Sequence, residues 1–313
     1  MNCAKPPSMA LFFPSAVRLL VCFCLAGSLS LPAMAYEKEG MPDLCQIEQT
    51  CLPTATANLI IWFGRHGYPK LIAPGDSKTN GYIHTVRRIM SETDADFEWG
   101  TRPEKIAAGI KSYIEKAGYD CDVEFRGIGK TSFTSDWLKD NDDPNKGFVL
   151  LLAYTSYDPG NDSFSNAWSG GHAVTLVNSM PDMILVHDPA HMADETGRKI
   201  LTPRVLTKGT WSSRSGSAPV AGLMVLSGSL LEAPPNTGIL LIGAVCITMH
   251  PDKDLIAISS SKPNSASGPN VKGGPDSGGK SDPASAPAPS APAAPVSATK
   301  SWAQWVFDLL FSK

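Results

Sequence analysis

The stretch Gly170-Gly171-His172-Ala173-Val174-Thr175-Leu176-Val177-Asn178-Ser179-Met180-Pro181-Asp182-Met183-Ile184-Leu185-Val186-His187-Asp188-Pro189 decides how this chain is read. Two apolar, β-branched runs flank Ser179-Met180-Pro181-Asp182, a cluster of turn formers. An antiparallel hairpin is therefore predicted. Centred on Met180, it sets His172 directly opposite Asp188, since each lies eight residues from the centre. Opposed residues in such a pair share a face, with Cα atoms about 4.5–5.5 Å apart. A carboxylate in that position orients an imidazole and raises its pKa. The reading depends on register, because a slip of one residue puts the two on opposite faces.

Working outward, the next informative segment is Gln46 to Asn58, which contains Gln49-Thr50-Cys51-Leu52-Pro53-Thr54-Ala55-Thr56-Ala57-Asn58. A helix is predicted from Pro53 to about His66, closed by Gly67. Cys51 precedes it, where unpaired N–H groups and the helix dipole favour a thiolate. Ala55 and Ala57 would let another layer approach closely. Read alone, Cys51 could equally be an inert buried thiol. Taken with His172 and Asp188, it completes a nucleophile, base and orienting acid in that chain order. The backbone N–H of Cys51 would be one oxyanion donor. A side-chain amide from Gln46 or Gln49 would be the second. Gln46 is preferred, because its side chain has enough loop to swing back over the helix start.

A second helix is predicted from the Thr101-Arg102-Pro103-Glu104 capping box to about Ala117, ended by Gly118. Strands are predicted at 123–125, 148–154, 172–178, 183–188, 221–227 and 238–249. Helices first and sheet afterwards imply an α+β fold, with the nucleophile helix packed on an antiparallel sheet.

The arrangement Gln-x4-Cys-x-Pro-Thr-Ala-x-Ala-Asn, then Gly-Gly-His-Ala-Val, then an apolar strand ending in Asp-Pro, resembles the papain-like cysteine peptidases. The similar branch is the bacterial one of bacteriocin-leader peptidases, cysteine-peptidase family thirty-nine. The resemblance spans roughly residues 42 to 230. It implies a papain-like α+β fold and hydrolysis of a peptide or amide bond through an acyl-enzyme. It implies Cys51 as nucleophile, His172 as base, Asp188 as orienting acid and Gln46 at the oxyanion, with no cofactor or metal. Leu52 departs from the Gly usual after the nucleophile in leader peptidases. No transporter domain accompanies the motif set, so a double-glycine leader does not follow as substrate.

The 313 residues carry a net charge of -3 and are 42% hydrophobic. That permits a packed core and leaves no basic excess for a dedicated nucleic-acid binder. Residues 1–35 read as a signal peptide, with Lys5 and Arg18 before an apolar run and Ala33-Met34-Ala35 at the cleavage point. Export to the periplasm or beyond is expected. The folded domain is placed at 36–256. A Pro/Ala/Ser/Gly linker is placed at 257–300. Trp302, Trp305, Val306, Leu309 and Leu310 make a short amphipathic tail at 301–313, suited to docking on a protein groove or a membrane surface.

Four cysteines remain beyond the signal, Cys45, Cys51, Cys121 and Cys246. They are too scattered for a disulfide framework, though one pair among Cys45, Cys121 and Cys246 stays open. His187 and His191 flank Asp188-Pro189, but alternation along a strand turns His187 away from Asp188, so no metal site is expected. Trp168 reads as a wall of the cleft or a core residue. Beside an exported thiol peptidase, two other functions fit the same residues. One is a catalytically inactive binding module. The other is an amidase or endopeptidase acting on cell-wall peptides, or a related acyl transferase.

Overall fold

The computed structural model describes residues 37–95, 101, 103–127, 135–192, 195–213, 216–228 and 237–251. The expected signal peptide, linker and tail lie outside them, as do Arg102 of the capping box and the side chains of Glu104 and Trp168. Four α-helices are described: α1 Cys51–Arg65, α2 Ile83–Glu92, α3 Pro103–Lys116 and α4 Ser135–Lys139. Nine strands are described: β1 Cys121–Gly127, β2 Lys146–Asp158, β3 Ser163–Ser179, β4 Ile184–His187, β5 Arg198–Val205, β6 Thr210–Ser213, β7 Gly216–Pro219, β8 Met224–Ser227 and β9 Thr237–Met249. Among the described residues no helix is long and apolar enough to cross a membrane.

The sheet closes on itself. β2 pairs with β3, β3 with β4, β4 with β5, β5 with β8, β8 with β9, and β9 returns to β2, every pair antiparallel. A six-stranded barrel results, with β1 added on the outside of β9 and the β6–β7 hairpin joined in parallel to the first residues of β3. This closure overturns the expected papain-like α+β fold with a helix on a sheet. The molecule is mainly β, and its sheet is a closed barrel instead of an open layer. The deciding element is β5, Arg198-Lys199-Ile200-Leu201-Thr202-Pro203-Arg204-Val205, which bridges β4 and β8. Only Leu201 of it is buried. Its charges and its proline hide it from a reading based on apolar alternation.

Two cores lie on the two sides of the barrel wall. Inside are Phe148, Leu150, Leu152 and Tyr154 of β2, facing Val174, Leu176, Val186, Leu201 and Leu226. Trp137 of α4 meets Phe148 edge-on at 4.9 Å and plugs that end. Outside, α1 is buried from Leu52 to Gly64 against β2, β3 and α2. The crossing is close: a Cβ at Gly147 of β2 would stand 2.3 Å from Leu59 Cδ1, so a larger residue there would have to displace the Leu59 side chain. The sheet separates the remaining cysteines. Cys121 belongs to the outer core and Cys246 to the barrel interior, and Cys45 is exposed in the loop before α1. All four are free thiols.

Candidate active site

A turn sets Cys51 at the start of α1. The Thr50 hydroxyl accepts the Ile47 N–H at 3.0 Å and donates to the Ile47 carbonyl at 2.7 Å, and the helix begins at the next residue. Two buried polar side chains then fix that helix to the barrel. Thr175 of β3 donates to the Ala55 carbonyl at 2.7 Å, and Asn58 donates to Thr175 at 3.3 Å. Asn58 also accepts the Leu44 N–H at 3.1 Å. Loop, helix and strand are thereby held in one register. Sequence reading had assigned neither residue a role. The available signal was a lone amide in an apolar helix and a single hydroxyl within the apolar run Ala173–Val177, since buried polar groups need partners.

His172 lies on the barrel-facing side of β3, opposed to Leu152 of β2. Asp188 follows β4, and its N–H continues the ladder to the Gly197 carbonyl at 2.7 Å. Gly197 packs so tightly there that a Cβ would meet the Asp188 carbonyl oxygen at 2.3 Å. His172 Nε2 and Asp188 Oδ1 stand 2.6 Å apart with both side chains at 0% exposure. The carboxylate also accepts the Ala190 N–H at 2.9 Å. The Tyr154 ring covers the imidazole at 6.1 Å, near parallel. The pair therefore lies farther along β2 than the Trp137–Phe148 contact.

The centre of the hairpin differs from the expected one. The ladder pairs Thr175 with His187 and Leu176 with Val186, so Asp188 falls opposite Val174 and becomes a diagonal neighbour of His172. Face is kept because the displacement is an even number of residues.

Cys51 is half-buried at the helix start and acts on His172, raising the pKa of its imidazole. With Nε2 committed to Asp188, Nδ1 is the ring nitrogen that can serve the thiol. Burial disfavours the imidazolium, but Asp188 and Cys51 outweigh it and push the His172 pKa up to about 10. Gln46 is half-buried and its N–H donates to the Pro189 carbonyl at 2.8 Å, which brings it to the loop that follows Asp188. Gln49 is exposed.

The other histidines of this region serve the loops. His187 points away from Asp188, as strand alternation requires, and its Nδ1 bonds to the Pro42 carbonyl at 2.8 Å. His191 Nδ1 lies 2.7 Å from the Met192 carbonyl, and its Nε2 lies 3.4 Å from Asp43. Among the described residues no three His, Cys, Asp or Glu side chains are grouped to hold a metal ion.

No family model matches the chain, and no curated protein matches it. Among solved structures, a chain from Bacillus anthracis described as a "putative C39-like peptidase" aligns with 68% of this chain and 96% of its own length, at 10% sequence identity and a TM-score of 0.35. A likeness of that degree says nothing about chemistry, which has to be read from the residues themselves.

Proposed function

We propose that this protein is an exported thiol peptidase that hydrolyses a peptide or amide bond through Cys51, His172 and Asp188. The observation that carries the reading is the buried His172–Asp188 pair, at 2.6 Å, whose imidazole pKa is raised in part by a cysteine at a helix start. An inert core thiol has no use for a buried imidazole that is itself bound to a buried carboxylate. Burying that pair costs free energy that packing alone would not require.

In the proposed reaction the Cys51 proton passes to His172 Nδ1, and Asp188 holds the imidazolium through Nε2. The thiolate attacks the scissile carbonyl, whose oxygen takes up the negative charge. The Cys51 N–H and the Gln46 amide stabilise that oxyanion. As the C–N bond breaks, His172 gives its proton to the leaving amine, and an acyl-thioester remains on Cys51. A water then loses its proton to His172 and attacks the thioester. The acid departs, and the proton returns to the thiolate. Export is part of the proposal on the strength of the residue pattern at 1–35. So is docking by the tail at 301–313, on the strength of its amphipathic pattern; deleting residues 300–313 should then change location or binding without changing turnover.

The test is cleavage of a broad peptide mixture and of purified peptidoglycan by the protein and by Cys51→Ala. Products from the first that are absent from the second are expected. Undiminished product with Cys51→Ala overturns the reading. Release from peptidoglycan alone would assign the same residues to cell-wall peptides.

A further inference from the structure

Four large apolar side chains are well exposed among the described residues, Ile47, Met192, Ile200 and Val205. The last two belong to β5, Ile200 on its outer face and Val205 at its end. Ile47 and Met192, 51% and 69% exposed, lie elsewhere. Ile47 directly follows Gln46, and Met192 is four residues past Asp188. Their two loops are fastened to each other. The Gln46 N–H donates to Pro189, and the Cys45 thiol donates to the His191 carbonyl at 2.7 Å. Behind them Asp43 accepts from the Gly197 N–H at 2.8 Å and from Thr196 at 3.1 Å. These apolar side chains therefore stand exposed on two loops that are fastened to each other, one leading into Cys51 and the other continuing from Asp188.

We infer that Ile47 and Met192 form a subsite for an apolar side chain on the leaving-group half of the substrate. This rests on the peptidase reading above. The side follows from the proton path. His172 hands its proton to the departing amine, so the amine half lies against His172 and the loop that continues from Asp188. Met192 is on that loop, and Ile47 is carried to it by the backbone bond of Gln46. The first residues after the cleaved bond then meet these loops, and an apolar one covers both side chains. One apolar contact of this kind discriminates by roughly tenfold in kcat/KM.

The experiment uses the full chain and a peptide library randomised around the cleavage position, with the new N-termini sequenced. Enrichment of Leu, Ile, Met and Phe by about tenfold over Asp and Ser among the first two residues is expected. The double variant Ile47→Glu, Met192→Glu should lose it and favour Lys and Arg instead. Iodoacetamide labelling of Cys51 checks the nucleophile in that variant. Cleavage by the wild-type protein without apolar preference overturns the subsite and leaves the peptidase reading standing. An apolar preference that survives in the double variant does the same. If no library peptide is cleaved in a Cys51-dependent way, the peptidase reading fails and the subsite falls with it.

Discussion

His172 and Asp188 meet at 2.6 Å because one residue, Val177, stands outside the ladder between their strands. The turn pairs Met180 with Met183, and the first rungs pair Ser179 with Ile184 and Asn178 with Leu185. Continued unbroken, that register would bring Asp188 opposite Thr175, on the helix side of the sheet, with His172 on the barrel side. The bulge at Val177 restores the parity. Its carbonyl, released from the ladder, accepts the Lys38 N–H at 3.3 Å and the Asn141 side-chain amide at 3.1 Å. Deleting Val177 should make Leu176–Val186 and Asn178–Leu185 consecutive rungs, so the His172-dependent labelling of Cys51 should be retained. Asn141→Leu, which removes one donor from a buried carbonyl, should lower stability by about 1–2 kcal/mol and slow labelling several-fold. Urea unfolding and iodoacetamide kinetics read both. Unchanged stability and labelling in Asn141→Leu would show that the Val177 carbonyl does not need that donor.

The same pair makes a pH prediction. Asp188 and Cys51 raise the His172 pKa to about 10 against the opposing effect of burial. A raised imidazole pKa means the cation is present throughout the neutral range and is lost only as pH rises toward 10. Cys51 should thus react quickly with iodoacetamide at pH 6. His172→Ala should slow that reaction at least tenfold there, with the gap narrowing above about pH 8.5, where an unassisted thiol ionises. Asp188→Asn should lie between the two. Equal rates at pH 6 in wild type and His172→Ala would mean that no ion pair exists.

What was legible in the sequence was local. Ala55, Ala57 and the apolar run to Phe63 announce a buried helix, and the Met180–Asp182 turn announces a hairpin. Two things were not legible. A one-residue bulge leaves no mark in apolar alternation, since Val177 fits a strand as well as its neighbours do. Its justification lies far along the chain, at Lys38 and Asn141. Barrel closure was also hidden, because it depends on β5, whose outward residues are charged or exposed and whose single buried side chain is Leu201. The fold class expected from sequence failed at that strand, while His172 and Asp188, read from short motifs, do meet.

β5 therefore carries a stability prediction. Leu201, at 0% exposure, is the one side chain of the closing strand that enters the barrel interior. Leu201→Ala should cost about 2–5 kcal/mol, the range for a buried leucine whose cavity does not collapse. Ile200→Ala, next to it but 61% exposed, should change stability by less than about 0.5 kcal/mol. The two urea midpoints compared would decide it. Equal effects would show that β5 does not close the barrel through Leu201.

Lys38 gives a prediction of opposite sign from the usual surface lysine. Its side chain is 1% exposed, donates to the carbonyls of Asn141 at 3.0 Å and Asp143 at 3.2 Å, and lies 4.5 Å from the centre of the Trp62 ring. Burial lowers its pKa from 10.5 to about 8, although Asp143 and Asp142 pull it upward. Between those two values the unfolded chain holds a proton that the folded chain has released. Stability therefore rises with pH across the window, by about 1.4 kcal/mol per unit and on the order of 3 kcal/mol in total. Below pH 8 both states are protonated and this contribution is flat. Cys121 and Cys246, whose pKa values burial raises to about 11, push the other way above pH 9. They do so in wild type and in Lys38→Met alike, so the difference between the two proteins isolates the lysine. That difference, from urea unfolding at pH 7.5, 9 and 10.5, should move steadily in favour of the wild type. The Lys38 N–H that supports the Val177 bulge is untouched by the substitution, so His172-dependent labelling of Cys51 should persist. A difference that stays constant from pH 7.5 to 10.5 would show that the folded chain holds its Lys38 proton as tightly as the unfolded one.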